Sequence, residues 1–507
     1  MDADDYTIVP LPFLTGRLSV IFNAPLSFEK LQESWQQTLQ ARPIMQARVR
    51  RSTTAASGLE YHALTPRGMA KYLEAQSKAP DHLKDFFCLD ESHRSVSDYW
   101  PGVKTGANSS SQSQEIFIAD NANSKDQQRC TSFNAVQNID ELINSDRPAV
   151  TLQVTRFSDA TLVTISFSHI IGDIFTIKTI LKGWESSLHH QPVLPFERLG
   201  EDPFSAYGPG GKLAGEDATS KSPLMPPGWR IYGILDKIRF VARFLWDCYI
   251  TRPEKTMSQK YIFIPEAEIV AMEEQAKEDV RKIEAQRKEL DIKIERPLFV
   301  SRSNIIHAWL LKQKHTYLNP NKWSSPVTIV NARAKPPTGM KARSDDFPSH
   351  DWYSGATAVA IPSLQVRDIL AMPLGQLALH IREGIMEGAS PENGRRWLSF
   401  NLHNNLWKKP SGKVALWCPP DHYLSGLSDW RLIPLHELDF TPARFDHGDE
   451  RVQVCGFNAH MAFAGTQRNR WVCLGEAGGG VWLLGNASET EWREPSGFGK
   501  YTHVELR

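Results

Sequence analysis

Between Ala149 and Leu188 the hydrophobic pattern changes from the two-residue repeat of a strand to the longer repeat of a helix. Val163, Ile165, Phe167 and His169 fall on one side of an extended segment, with Leu162, Thr164, Ser166 and Ser168 on the other. From Asp173 onward, Ile177, Ile180, Leu181, Trp184 and Leu188 share one face, which predicts an amphipathic helix. A second helical stripe, Ile231, Ile234, Leu235, Ile238, Val241, Leu245 and Cys248, lies in the segment Arg230 to Ile250. Asp236, Lys237, Arg239, Arg243 and Asp247 interrupt that segment too often for a membrane span. Packing of the stripe on the protein's own core is the expectation, ahead of a membrane-surface or partner helix. A charged helix follows from about Pro265 to Leu290, polar enough to be largely exposed.

Polar stretches divide the chain. Residues 102–128 are rich in Ser, Asn, Gln and Asp and predict a surface insertion. Residues 198–229 contain Gly208-Pro209-Gly210-Gly211 and Met225-Pro226-Pro227-Gly228, and predict a crossover between two halves. The division expected is residues 1–200, a linker over 201–229, and residues 230–507. A chain of 507 residues has ample length for two cores. Gly478-Gly479-Gly480 reads as a hairpin turn more readily than as a phosphate cradle, since no helix with a following lysine accompanies it.

Composition narrows the function classes. Fifty-eight basic and fifty-eight acidic residues balance, and the pI is near 7.3, so nothing points to nucleic acid or an anionic membrane surface. The acidic start Met-Asp-Ala-Asp-Asp has no following apolar run and does not read as a secretory signal. Six scattered cysteines (Cys88, Cys130, Cys248, Cys418, Cys455, Cys473) lack metal-ligand spacing and read as free thiols in a reducing, cytoplasmic setting. Sequons at Asn108 and Asn486 carry no weight without an export signal.

Where the strand gives way to the helix stands His169-Ile170-Ile171-Gly172-Asp173. A histidine fixed at a strand end and partly desolvated suits a general base near neutral pH. It equally suits a hydrogen-bonded core histidine, with Asp173 as the plain N-cap of the next helix. No G-x-S-x-G motif supplies a nucleophilic serine.

This H-x-x-x-D segment resembles the BAHD acyltransferases, a coenzyme A-dependent family, and other landmarks follow in the family's order. Leu31 to Leu39 with Ala41-Arg42-Pro43 resembles the first helix and its exit, and Ser303 to Leu310 the helix that opens the second core. Val330-Asn331-Ala332-Arg333 resembles the family's V-D-x-R, and Trp352-Tyr353-Ser354-Gly355-Ala356 its Y-F-G-N turn. The stretch Ser428 to Phe440 resembles the approach to D-F-G-W-G. Two departures stand out. Ile174 replaces the glycine after the motif aspartate, and Asp439-Phe440-Thr441-Pro442-Ala443 keeps only two residues of D-F-G-W-G. Such divergence is most similar to the fungal branch that decorates secondary metabolites.

The resemblance implies an α/β fold of two chloramphenicol-acetyltransferase-like domains, each a mixed β-sheet covered by helices, with a channel between them. It implies a monomer that transfers an acyl group, acetyl by default, from acyl-coenzyme A to a small-molecule hydroxyl. His169 would be the base, Asp173 would pair with Arg333, and Trp430 and Ser428 would stand near the developing oxyanion. Trp430 reads equally well as a core tryptophan. Asp439 would be structural, and no cofactor would be tightly bound. Lys282, Arg287, Lys288 and Arg302 lie in the general region where coenzyme A phosphates enter. Two other readings remain: a condensation-like enzyme with a carrier-bound donor, and a non-catalytic small-molecule-binding relative.

Overall fold

The computed structural model describes residues 15–52, 59–79, 88–100, 103, 105, 115–121, 135–196, 204–214, 223–292, 297–339, 356–404, 413–445, 450–462 and 468–504. Two mixed sheets organise them. The first has the order Val454–Ala462, Thr15–Phe22, Thr161–Ser168, Val150–Arg156, Cys88–Glu91. The second runs Ala356–Ala360, Trp323–Asn331, Tyr423–Asp429, Arg470–Ala477, Gly480–Ser488, Met257–Pro265, Phe117–Asp120, Thr502–Val504. Leu364–Gln365 adds a short pairing to the start of Trp323–Asn331. Helices Phe28–Ala41 and Ile174–Leu188 pack together beside the first sheet, and Glu266–Glu289, Arg302–His315 and Leu374–Gly388 pack together beside the second. This is the two-domain α/β architecture expected.

Each sheet borrows a strand from the other half of the chain. Val454–Ala462 forms an edge of the first sheet, and Phe117–Asp120 is held in the second between Met257–Pro265 and Thr502–Val504. The expected surface insertion over 102–128 therefore contains a buried strand, with Ile118 and Ala119 inaccessible. Four residues are too few to lift the local composition, and their partners lie far away in sequence. Most of the rest of that insertion, including Asn108, falls outside the described residues, as does Cys130 just beyond it.

The strand Thr161–Ser168 is buried at every position, since it runs through the middle of its sheet with both faces covered. Across the strands, Thr164 Oγ1 lies 2.8 Å from Ser19 Oγ, and on the other face Thr161 Oγ1 accepts from Leu26 N and donates to Ala24 O, while Ser166 Oγ and Ser168 Oγ have no hydrogen-bond partner among the described residues. In the following helix, Trp184 packs on Trp35 at 5.1 Å, and its indole N–H is shared between Leu31 O and Ser34 Oγ.

One helix departs from expectation. Ile234–Trp246 forms as its periodicity predicts, but its apolar stripe faces outward and no residue of the helix is buried. Its inward side carries Asp236, Phe240, Arg243 and Phe244 instead, held by polar contacts such as Arg243 Nη1 to His422 O at 2.6 Å. Periodicity identifies an apolar face and not what covers it. Elsewhere the helix Glu266–Glu289 is mostly exposed, with Ile269, Met272, Ala276 and Val280 as its buried stripe. Gly478 and Gly479, at φ of 63° and 78°, make the two-residue hairpin turn between Arg470–Ala477 and Gly480–Ser488. Cys248, Cys418, Cys455 and Cys473 are buried free thiols.

Two histidines on the helix Arg302–His315 tie stability to pH. Burial lowers His307 to about 4 and His315 to about 3, the latter wedged between Leu311 O and Ser324 Oγ, each 2.7 Å away. In the unfolded chain both titrate near 6.5, so below that pH the unfolded state binds more protons. Stability is therefore fully present above about pH 6.5 and falls as pH drops towards 4, by up to about 1.4 kcal/mol per unit per histidine. Urea midpoints measured from about pH 7 to about pH 5 check this; a midpoint that stays put would refute it.

Candidate active site

His169 is the first residue past the strand end, opposite the start of the neighbouring strand, where Ser168 pairs with Thr15. A tight turn follows. Ile171 N donates to Ser168 O at 3.1 Å, and the Tyr61 hydroxyl donates to Ile170 O at 3.1 Å. Gly172 is required by space: a Cβ there would sit 2.2 Å from Oγ1 of the buried Thr176. Asp173 then caps the helix Ile174–Leu188, its Oδ1 accepting from Phe175 N at 2.9 Å and Thr176 N at 3.4 Å.

The other oxygen of the same carboxylate reaches the second sheet. Arg333 Nη1 donates to Asp173 Oδ2 at 2.8 Å, and both side chains are buried. Arg333 sits just past the strand Trp323–Asn331, where Asn331 Oδ1 accepts from its backbone N at 3.0 Å and from Nη1 at 3.3 Å. Its guanidinium lies 5.5 Å from the Phe175 ring centroid. The cap and the ion pair coexist in one aspartate, and together they bind the end of the histidine turn to the far half of the chain.

Two basic groups share this region. The His169 imidazole is partly accessible, yet burial lowers its pKa below the ordinary value; Asp173 opposes that shift, and the positive charge of Arg470 adds to it. Arg470 opens the strand Arg470–Ala477 and keeps an exposed surface, while burial lowers its pKa to about 10. Arg470 gave no signal in the sequence, being an ordinary arginine beginning an ordinary strand; only the folded chain brings its charge to His169.

Ser428 lies at the end of Tyr423–Asp429, which runs parallel to the strand leading to Arg333, with Ser428 opposite Ile329. Trp430 is buried and its indole N–H donates to Ser428 Oγ at 3.0 Å. The hydroxyl hydrogen of Ser428 is left to point elsewhere, so the pair can offer one polarised O–H rather than two independent donors. Beside them Asp429 accepts from Ser303 Oγ and Arg431 Nη2, each at 2.6 Å.

Asp439 stands apart from these groups. Its Oδ1 accepts from Thr441 N at 3.0 Å, and its own N–H donates to Glu185 Oε1 at 2.6 Å at the end of the helix Ile174–Leu188. Phe440 packs between Phe22 and Trp184 at 4.5 and 5.1 Å. The two residues kept from D-F-G-W-G thus fasten a loop of the second half onto the first. Of the four basic residues considered for phosphates, Lys282 pairs with Glu278 and Arg287 with Glu383. Arg302 is committed to Glu266, Glu273 and Glu476. Trp352 to Gly355 fall outside the described residues.

No family model matches the chain. It is 36% identical over 530 aligned positions to "Acetyltransferase MATC1" of Mycosarcoma maydis, covering 99% of this chain and 98% of the relative. It is 34% identical to "Acetyltransferase MAT1" of Pseudozyma antarctica, covering 96% and 94%. Among solved structures, TRI101 of F. sporotrichioides, complexed with coenzyme A and T-2, aligns over 99% of this chain and 98% of its own with a TM-score of 0.58 at 13% identity. Vinorine synthase aligns over 97% and 89% with a TM-score of 0.52. Whole-length likeness to two acetyltransferases, together with the shared fold, shows that the chain belongs to the BAHD acyltransferase family.

Proposed function

We propose that this acyltransferase moves an acetyl group from acetyl-coenzyme A to a hydroxyl of a small secondary metabolite, with His169 as the general base. The observation that carries the reading is the buried Asp173–Arg333 pair, which fixes the His169 turn while joining the two halves. The relatives named acetyltransferases and the coenzyme A bound to TRI101 support the donor. The halves proposed are residues 1–200 and 230–507, each bringing one side of the site.

The chemistry follows from the residues. A lowered pKa keeps the His169 imidazole neutral at physiological pH, ready to take the proton of an acceptor hydroxyl. The oxygen attacks the thioester carbonyl; the C–O bond forms as the carbonyl electrons move to oxygen. Collapse of that oxyanion breaks the C–S bond, and the proton held by His169 goes to the departing thiolate. Ser428, with Trp430 donating to it, supplies the hydrogen bond that the oxyanion needs. A covalent acyl-cysteine on Cys418, Cys455 or Cys473 is disfavoured, because burial raises the Cys418 and Cys473 thiols and pushes Cys455 up to about 12. Transfer is direct, in a ternary complex of a monomer working in the reducing cytoplasm, where the free thiols would persist.

Titration calorimetry with coenzyme A and acetyl-coenzyme A, followed by a thiol-release screen of acceptor alcohols, tests the assignment. Absence of any donor binding at saturating protein would sink it. Ser428→Ala is expected to slow turnover by about 10²–10³-fold. Trp430→Phe keeps an aromatic ring but loses the pyrrole half of the indole with its N–H, so its effect on the oxyanion runs through Ser428 and it should cost less. Single-turnover rates compare the two, and equal losses would contradict the relay.

A further inference from the structure

The outward helix Ile234–Trp246, continued by the π-helical turn Asp247–Thr251, has no task in the acyl-transfer chemistry. We propose that it is an interfacial helix that docks the enzyme onto an anionic lipid bilayer surface, lying in the plane of the headgroups. Ile234, Leu235, Trp246 and Tyr249 are 77%, 70%, 62% and 73% exposed, and Ile238, Val241, Leu245 and Ile250 are also about half exposed or more. At roughly 100° per residue these eight side chains fill about half the helix circumference. A solvated helix face does not ordinarily hold so much contiguous apolar surface.

Charge selects the occupant. Lys237 and Arg239 stand exposed near the two margins of the apolar arc. The helix's acids turn inward and are paired: Asp236 with Arg230 at 3.0 Å, Asp247 with Arg252 at 2.5 Å and Arg468 at 3.2 Å. The outward face is therefore apolar in the middle and cationic at both edges. Long cationic side chains at such edges reach lipid phosphates while their stems stay with the acyl chains. Trp246 and Tyr249, close together near the C-terminal end, are the residue types that favour the headgroup boundary. Against a second copy of itself, this face would set Lys237 and Arg239 near like charges, with no exposed helix acid to answer them. The balanced charge of the whole chain hides this local asymmetry.

The helix is also firmly mounted. Arg243 Nη1 bonds His422 O, and His422 Nδ1 lies 2.8 Å from Ser325 Oγ near the start of the strand that ends before Arg333. Six residues of strand, about 20 Å, separate that footing from the end of the strand. That footing lies at the opposite end of the strand from Arg333, the partner of Asp173 in the His169 turn. Thirteen helical residues span only about 20 Å, too short to cross a bilayer, and no helix among the described residues is long and apolar enough to do so.

The test is co-sedimentation of the full chain with vesicles of phosphatidylcholine alone and of phosphatidylcholine with phosphatidylserine, at low and high salt. Binding is expected only to the serine-containing vesicles, weakened by salt. The triple variant Ile238→Asp, Val241→Asp, Leu245→Asp changes exposed positions only, and should bind at least about tenfold more weakly. Lys237→Glu with Arg239→Glu should abolish the preference for anionic lipid. Circular dichroism and thermal unfolding, both unchanged, would show that the variants fold. The proposal is overturned if the wild type ignores both vesicles, or if the triple variant binds as the wild type does. It is also overturned if the wild type forms a dimer, lost in the triple variant, that excludes vesicles. It stands independently of the acyl-transfer assignment.

Discussion

His169→Ala is expected to lower acyl transfer by about 10²–10⁴-fold while leaving donor affinity within a few-fold of wild type. The size follows from the role. A neutral imidazole removes a proton that an alcohol does not give up unaided, and an alanine offers no replacement. The pattern separates the base from a core histidine. If His169 served only packing, its loss would lower thermal stability and donor binding together, with turnover per folded molecule little changed. The wild-type pH profile adds an independent check. Burial is the largest influence on this ring and lowers its pKa, so the neutral base persists below the ordinary 6.5. With the donor saturating, kcat should stay level from neutral pH to somewhere below 6.5 and fall only under that. An acidic limb at or above 6.5, or His169→Ala turnover within about threefold of wild type, would remove His169 from the chemistry.

Much of the site was legible because its parts are local. A strand, a four-residue turn and a helix fall within one window of sequence, so period and motif identify them together. The pairing of Asp173 with Arg333 was legible only through resemblance, since 160 positions separate the partners and no pattern links them. Arg470 and Tyr61 were not legible at all. Each acts by where the fold carries it, and each has a composition that any strand could have. The buried strand Phe117–Asp120 was hidden for the reason that it draws its pairing from Met257–Pro265 and Thr502–Val504, not from its neighbours. The stripe on Ile234–Trp246 shows the opposite failure. Its period is unmistakable and its helix is real, but burial is a tertiary outcome. A core-facing helix and an interfacial one share the same moment.

Breaking the Asp173–Arg333 pair is expected to be the most damaging change away from the reacting atoms, and unequally so from its two sides. Removing one partner of a buried ion pair typically costs about 3–5 kcal/mol, because the other charge is left without compensation. Asp173→Asn keeps the N-cap, since asparagine can still accept from Phe175 N and Thr176 N, but it takes the carboxylate charge away from a buried guanidinium that lies beside the Asn331 carbonyl oxygen and the Phe175 ring. Arg333→Met leaves the carboxylate still accepting two backbone N–H groups at a helix N-terminus, where negative charge is favoured. Asp173→Asn should therefore reach the upper end of that range and Arg333→Met the lower. The double variant should recover part of the loss, because it buries no orphan charge. Turnover should fall in all three, since the turn that carries His169 is released from the second sheet in each. Denaturation midpoints across the four proteins give the coupling energy directly. A coupling near zero would mean that the pair is incidental, and that the capped turn alone holds His169 in place.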